Sequence, residues 1–499
     1  MNDQGPRTPV PRLLLFLLVV SIAACKVGPD YVEPITPVPD VWTDQITAEM
    51  ADSMPPIEEW WAALNDTVLT ELIRRAEIAN KNLGIAVARV KETRALRGIA
   101  KGGLLPDIVL SGTYSRVMIS ENSPQGQILV GAGVPVTSTG VWNTGLGLSW
   151  EIDLFGRIRR TIEAATAFME ASIEDYRDVL VTVYAEVAFN YVDVRSFQAR
   201  IAFARANAEG QRGSLLLTRN RFAAGLTSAL DVAQAESNLG NTEARIPSLE
   251  IGLIAAENRL AVLLGEQPGA LKLLLADSMG IPVADQDITA GVPADLLRRR
   301  PDIRRAEREL AAQTAIVGVA TADLYPSFSL TGFIELEAID FADLSNSGSF
   351  GWGIIPGFTW AIFAGGKIRN RIKAEEARTE QALVFYEQTV LLALEDVQTA
   401  LVAYDREQVR RDRLQEAVTA TVRSVELVRI QYISGLTNFQ NYLDAQRSLF
   451  DQQDQFASSE GQVIKNLIDL NRALGGGWAL DSRPPDRRPT DSADSGIDD

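Results

Sequence analysis

The chain contains no histidine and only one cysteine, Cys25, in 499 residues. Without histidine it lacks the side chain that titrates near neutral pH, which is also the commonest general base and metal ligand. A single cysteine excludes an intramolecular disulfide and a cysteine-built metal cluster. Basic charge is short as well: 48 Lys and Arg stand against 65 Asp and Glu, a formal net charge of −17. Phosphate binding needs clustered Lys and Arg, so no nucleic-acid partner is expected. The acidic surplus serves solubility, or else a lumen that favours cations. Proline is missing from residues 136–246 and 357–483. Also missing are a nucleophile elbow, a phosphate loop and metal-ligand spacing. The reading is therefore not of an enzyme, and no cofactor is expected.

What is present is a duplication. Gly225-Leu226-Thr227 returns as Gly435-Leu436-Thr437. Trp150 followed by Gly156-Arg157-Ile158-Arg159 returns as Trp360 followed by Gly366-Lys367-Ile368-Arg369, and Leu264-Gly265 returns as Leu474-Gly475. Each spacing is 210 residues, as from Gly225 to Gly435. A period this long makes each copy half of a structure, not a solenoid unit of about 20–50 residues.

The N-terminus reads as an export signal. Arg7 and Arg12 precede the apolar run Leu13–Val20, and Ser21-Ile22-Ala23-Ala24-Cys25 follows. The run is too short to span a membrane as a mature helix. Small residues directly before a cysteine resemble a bacterial lipobox. Cleavage would leave Cys25 as the first residue, carrying lipid such as palmitate. Lys26 follows it, and not the Asp that favours inner-membrane retention, which points to the outer membrane. The alternative is a soluble exported protein with a chance cysteine.

Residues 60–101 have helical periodicity through Leu69, Leu72, Ile73, Ala76 and Leu83, ending at Gly102-Gly103. The period then becomes two. Ile108, Leu110 and Tyr114 alternate with Ser111, Thr113 and Ser115, and Trp142, Leu146, Leu148 and Trp150 alternate with Asn143, Gly145, Gly147 and Ser149. The second half repeats the pair in Phe328, Leu330, Ile334 and Leu336, then in Trp352, Ile354, Phe358 and Trp360. Pro106 returns 220 residues later as Pro326, so the first hairpin loop is about ten residues longer than the second. Strands of roughly ten residues with Trp near their ends fit a transmembrane β-barrel; a soluble sandwich with one buried face would alternate likewise. Four strands cannot close a barrel, which needs about eight. A membrane barrel would have to be shared by several chains.

The proline-free stretches carry a heptad seam: Tyr176, Leu180, Val183, Val187, Val194, Phe197 and Ile201, then Val390, Leu394, Val397, Leu401 and Tyr404. A continuous helix from Gly156 to Ala223 would be on the order of 100 Å long at ~1.5 Å per residue. Gly225 and Gly435 suit the left-handed position that ends a helix. Ser228 with Asp231, and Thr437 with Gln440, have capping-box spacing for a return helix. The spacing thus predicts two helix–turn–helix tips, Phe222–Asp231 and Tyr432–Asn441. Pro247 is expected to interrupt the first return helix. The resulting division is a signal peptide (1–24), an extended lipid-anchored tether (25–59), a first repeat (60–268), a linker (269–291), a second repeat (292–478) and a disordered acidic tail (479–499).

With these pieces in place, Cys25–Tyr31 resembles the mature start of lipoprotein outer-membrane factors. Trp60-Trp61, Asp153–Arg157, Ala256–Gly265, Arg299–Ile303, Leu443–Leu449 and Ala473–Trp478 resemble further motifs of TolC-like outer-membrane efflux proteins, specifically NodT-type lipoproteins of RND pumps. Seven motifs in order cover about residues 25 to 478. The resemblance implies an α+β membrane protein: a homotrimer whose chains give four strands each to a 12-stranded β-barrel, continued by a coiled-coil α-barrel. It implies a passive exit duct for drugs or other toxic small molecules, opened by a periplasmic adaptor and an inner-membrane RND transporter. It places the pore's periplasmic narrowing near Asp444, Arg447 and Gln440. Asp444 and Arg447, at i and i+3, are also readable as an ordinary surface ion pair. The first tip has Gln234 and Ser237 at the matching positions, so only the second tip would carry the lock. Phe222, Gly225, Leu226, Thr227, Gly435, Leu436 and Thr437 are the candidates for adaptor docking; simple turn chemistry explains Gly and Thr equally well. Competing readings are a type I protein-secretion duct and a structural trans-periplasmic lipoprotein.

Overall fold

The computed structural model describes residues 26–35, 38, 58–277, 279–283 and 299–479. The signal peptide, Cys25 and the tail from 480 onward lie outside the described residues, as do most of the tether and the second part of the linker from 284. A 3₁₀ turn (Trp60–Leu64) leads into α1 (Thr67–Ala79) and α2 (Lys81–Gly102). Next come β1 (Asp107–Val117), α3 (Pro124–Gly131), β2 (Thr139–Ile152), α4 (Arg157–Ala223) and α5 (Ala229–Leu263). The second half supplies α6 (Pro301–Ala322), β3 (Ser327–Ala338), β4 (Phe350–Thr359), α7 (Lys367–Ile433) and α8 (Phe439–Ala473). Helices α4 and α7 have 67 residues each, and α5 and α8 have 35 each. Their ends correspond at the same 210-residue offset, so the duplication is one of structure.

Three elements differ from the sequence expectation. The helical stretch from Trp60 onward is broken at Asn80, whose side-chain oxygen accepts from Asn82 N and Leu83 N at 2.9 and 3.2 Å while its amide donates to Leu263 O at 2.7 Å. One buried side chain thus caps α2 and holds the end of α5. Asn80→Ala should cost about 2 kcal/mol, the sum of a lost cap and a buried hydrogen bond. Denaturant unfolding of the detergent-extracted protein would measure it, and an unmoved midpoint would rule the cap redundant. Second, α5 runs unbroken through Pro247. Proline removes one hydrogen bond, and the helix on either side is held by Ile246 and Leu249 packed with Ile201, Ala204 and Phe450. Third, the first hairpin loop (118–138) holds α3, begun by Pro124 behind the Ser123 cap. The second loop (339–349) is ten residues shorter, as expected.

The four strands form one antiparallel sheet in the order β1-β2-β3-β4. Leu110 pairs with Leu146, Leu146 with Ile334 and Ile334 with Trp352. Cross-strand partners share a face. That face is largely apolar, with Thr144 and Arg116 as exceptions, and includes Ile108, Tyr114, Trp142, Phe328, Ile354 and Phe358. Much of it is exposed on the chain: Leu110 at 74% and Phe358 at 67%. The opposite face carries Ser111, Thr113, Asn143, Ser149, Ser329 and Thr331, with glycine at 145, 147, 351, 353 and 357. Asn143 Nδ2 donates there to Glu335 at 2.9 Å and Glu337 at 3.3 Å. Beyond the strands the duplication persists in detail, since Trp150 Nε1 donates to Leu104 O and Trp360 Nε1 to Leu324 O, both at 3.0 Å. Among the described residues the outer edges of β1 and β4 have no strand partner.

The chain divides into two compact units. One is made from Met1–Pro34, Glu92–Glu170 and Glu307–Val384, and contains the sheet. The other is made from Ile35–Lys91, Ala171–Ala306 and Phe385–Asp499. Its core is the heptad seam: Leu180, Val183, Val187 and Val194 meet Val390, Val397 and Leu401 in one buried cluster with Trp60 and Trp61. The Gly475-Gly476-Gly477-Trp478 end is tucked in here, with Trp478 under the guanidinium of Arg177 at 4.4 Å and near that of Arg304 at 5.6 Å. No helix among the described residues is long and apolar enough to cross a membrane.

Candidate functional site

Both tips are built by the same backbone chemistry. Gly225 and Gly435 sit at φ +72° and +74°, where a side chain would be strained. The amide of Leu226 reaches back to Arg221 O and that of Leu436 to Gln431 O, each at 2.8 Å, which satisfies carbonyls left open at the ends of α4 and α7. At the first tip the expected capping box is present: Ser228 Oγ accepts from Asp231 N at 3.3 Å and the Asp231 carboxylate accepts from Ser228 N at 3.4 Å. The second tip corrects the reading. Its cap is Asn438, accepting from Asn441 N at 3.1 Å, while Thr437 Oγ1 accepts from Asn441 Nδ2 at 2.8 Å. The 210-residue offset maps Ser228 onto Asn438, and an amide oxygen caps as well as a hydroxyl. Gln440 is thereby released from capping and donates to Asp444 at 2.9 Å.

The candidate docking residues fall at the turns. Phe222, Leu226 and Leu436 are exposed, Leu436 at 80%. Gly225 and Gly435 are exposed too, and Thr227 and Thr437 are half-buried. Arg221 joins the two turns: Nη1 donates to Ile433 O at 3.0 Å and the guanidinium lies 4.8 Å from the Tyr432 ring. Behind it Tyr432, Phe439 and Tyr442 cluster, with Tyr432 and Tyr442 stacked at 5.8 Å. These aromatics come from α7 and α8 and pack with Leu215 of α4 and Ala235 of α5 in one buried cluster.

Gln440, Asp444 and Arg447 project from one face of α8, spaced by four and three residues. All three are exposed. Arg447 Nη1 lies 4.0 Å from Asp444, the outer limit of an ion pair. Its shorter contact is Nε to Asn238 Oδ1 on α5, at 3.1 Å. Its inter-helix partner is thus a neutral amide. Asn238 is buried and was missed, as were Ser214, Tyr442 and Gln446. Gln446 Nε2 donates to Ser214 Oγ at 2.7 Å, and Ser214 Oγ lies 2.8 Å from the Tyr442 hydroxyl. The overlooked signal was polar residues at seam spacing: Asn238 and Thr242 follow Ala235 at core positions on α5 and are buried with it.

The arrangement offers no catalytic constellation. Among the described residues no group of His, Cys, Asp or Glu is placed to hold a metal. A cleft of about 440 Å³ between α4 and α8 is lined by Glu186, Asp193, Lys465, Asp469 and Arg472. Its charges are spent on neighbours, with Lys465 Nζ at 2.8 Å from Asp193 and Arg472 at 2.9 Å from Asp469.

Residues 72–266 and 292–476 match the family described as outer membrane efflux protein. Nodulation protein T of Rhizobium leguminosarum bv. trifolii is 32% identical over 92% of this chain and 95% of its own length. Outer membrane protein OprJ of Pseudomonas aeruginosa is 31% identical over 95% of this chain and 97% of its own. The solved structure of the outer-membrane channel OprN superposes with a TM-score of 0.84 at 34% identity, covering 91% of this chain and all of that one.

Proposed function

Because this chain belongs to the outer membrane efflux protein family, we propose that three copies of it close a single duct, held shut at the tips until a periplasmic partner engages them. The protein is an outer-membrane efflux channel, a passive exit path for small molecules that reaches into the periplasm. One observation carries the shared duct: a four-stranded sheet with an exposed apolar face and two unpaired edges among the described residues. In lipid each backbone group needs a partner, so the edges must be closed. Four strands fall short of the roughly eight a barrel needs. Three copies would give 12 strands, the number the family resemblance implies.

The rest follows from the tips. Phe222, Gly225, Leu226, Thr227, Gly435, Leu436 and Thr437 form the proposed docking surface for an adaptor protein, since exposed apolar side chains beside glycine allow close helix approach. Gln440, Asp444 and Arg447 form the proposed periplasmic gate. An inner-membrane RND transporter, the partner the family resemblance implies, is the proposed source of energy. Cys25 carries the lipid, and the repeats at 60–268 and 292–478 flank a linker.

A deletion strain tested for retention of dyes, antibiotics and organic solvents decides the reading. The expected result is several-fold retention of several compounds, reversed by the intact gene. Proteins missing from the medium without retention would favour type I secretion. No change in either would leave a structural lipoprotein.

A further inference from the structure

The first described residues are bonded to the body and not loosely tethered. Val27 N donates to Phe155 O at 3.2 Å. Lys26 Nζ lies 2.7 Å from Glu163. Next to it sits Arg160, one of the two largest fully buried side chains, at 0% exposure. Arg160 spends Nε and Nη2 on this strap, Nε to Val27 O and Nη2 to Gly28 O, both at 3.0 Å, with Nη2 also 3.0 Å from Asp30, while Nη1 lies 3.1 Å from Glu163 on its own helix. The positive charges of Arg160 and Lys26 hold the Asp30 carboxyl below its usual range. The seat is shaped for the strap's backbone. Gly28 is at φ +86°, and a Cβ there would fall 2.5 Å from Gly318 Cα; a Cβ on Gly318 would fall 2.6 Å from Arg160 Nε. Tyr31 closes the far end, its hydroxyl on Glu307 and its ring 5.5 Å from the Arg308 guanidinium, against Ala167, Ala311 and Ala312.

A guanidinium this buried is costly without its partners, so the seat is built to be filled by residues 26–31. A Cβ on Gly156 would meet Lys26 Cα at 3.0 Å, which puts the start of the strap at the corner where β2 hands over to α4. We propose that Arg160, with Gly28 and Gly318, forms a positioning clasp that makes the lipid anchor emerge at the rim of the sheet, so that acyl chains and strands enter one leaflet together. This rests on the lipid-anchored outer-membrane reading.

The test compares Arg160→Ala, a spacer of about ten Ser/Gly residues set after a duplicated Lys26 so that the residue following Cys25 is unchanged, and both combined. Mass of the N-terminal lipopeptide reports lipidation, and heat-resistant oligomer on semi-native gels reports assembly. The expected result is full lipidation in all three. Assembly should fall about tenfold in each single variant, because either the clasp or its link to the lipid is lost, and the combination should be no worse. A harmless spacer beside a damaging Arg160→Ala would show mere packing and overturn the proposal. So would multiplying effects, or wild-type assembly of Arg160→Ala. An assembled, lipidated oligomer that exports nothing would count against the duct and leave the clasp standing.

Discussion

Arg447→Ala is expected to raise the resting open fraction of the purified channel about tenfold, read as single-channel conductance in planar bilayers. Arg447 ties α8 to α5 through Asn238. An opening that separates these helices has to break that bond. Losing the donor to a buried amide oxygen costs the tied arrangement ~1–2 kcal/mol, and ~1.4 kcal/mol is tenfold in population. Asp444→Ala should behave differently. Its contacts, to Gln440 at 2.9 Å and Arg447 at 4.0 Å, are exposed, so their loss barely shifts the equilibrium. Repeated around an axis, however, Asp444 would make an anionic ring that favours cations. Its removal should lower cation preference, seen as a reversal potential nearer zero in a salt gradient. Wild-type conductance in Arg447→Ala together with unchanged selectivity in Asp444→Ala would dismiss this face of α8 as an ordinary surface.

Engineered cysteines on β1 and β4 are expected to join copies of the chain into a ladder that stops at three. Ser111→Cys on β1 would be combined in turn with Gly351→Cys, Ile355→Cys and Gly357→Cys on β4, all on the polar face. Directly opposed strand residues have Cβ atoms about 4.5–5.5 Å apart, within reach of a disulfide. The natural sequence supplies no competing thiol beyond Cys25. Non-reducing gels should show dimer and trimer for at least one pair. Monomer for every pair, or a ladder stopping at two or passing three, would refute closure by three chains.

The long elements were legible because their signals repeat. Gly156 and Gly225 bracket α4, their counterparts bracket α7, and the seam from Leu180 to Val194 is buried as its spacing demands. The strands were legible because alternation held over four segments. What escaped was decided by single side chains acting at a distance. Asn80 breaks a helix because its amide finds Leu263, 183 residues away in sequence. Pro247 fails to break one because neighbours hold both sides. Asn438 takes a cap that the motif assigned to Thr437, since the motif ignores asparagine. In the proposed gate the exposed members, Asp444, Arg447 and Gln440, rest on the family resemblance. Asn238 was missed, because a buried polar residue on an amphipathic helix looks in sequence like one facing water. Arg160 escaped for the same reason, one more arginine in a basic run.

The glycines at 145, 147, 351, 353 and 357 lower the polar side of the sheet in patches between its Ser, Thr, Asn and Glu side chains. Phe333 even lies where a side chain on residue 353 would have to be, its ring 2.5 Å from that Cβ position. If this face lines the duct, those low stretches between Asn143, Phe333, Glu335 and Glu337 offer a passing solute few places to linger. Dwell time would then depend little on the solute's shape, and throughput would be set by the rate of delivery from below. Filling that wall with side chains is a way to slow the traffic without closing any door.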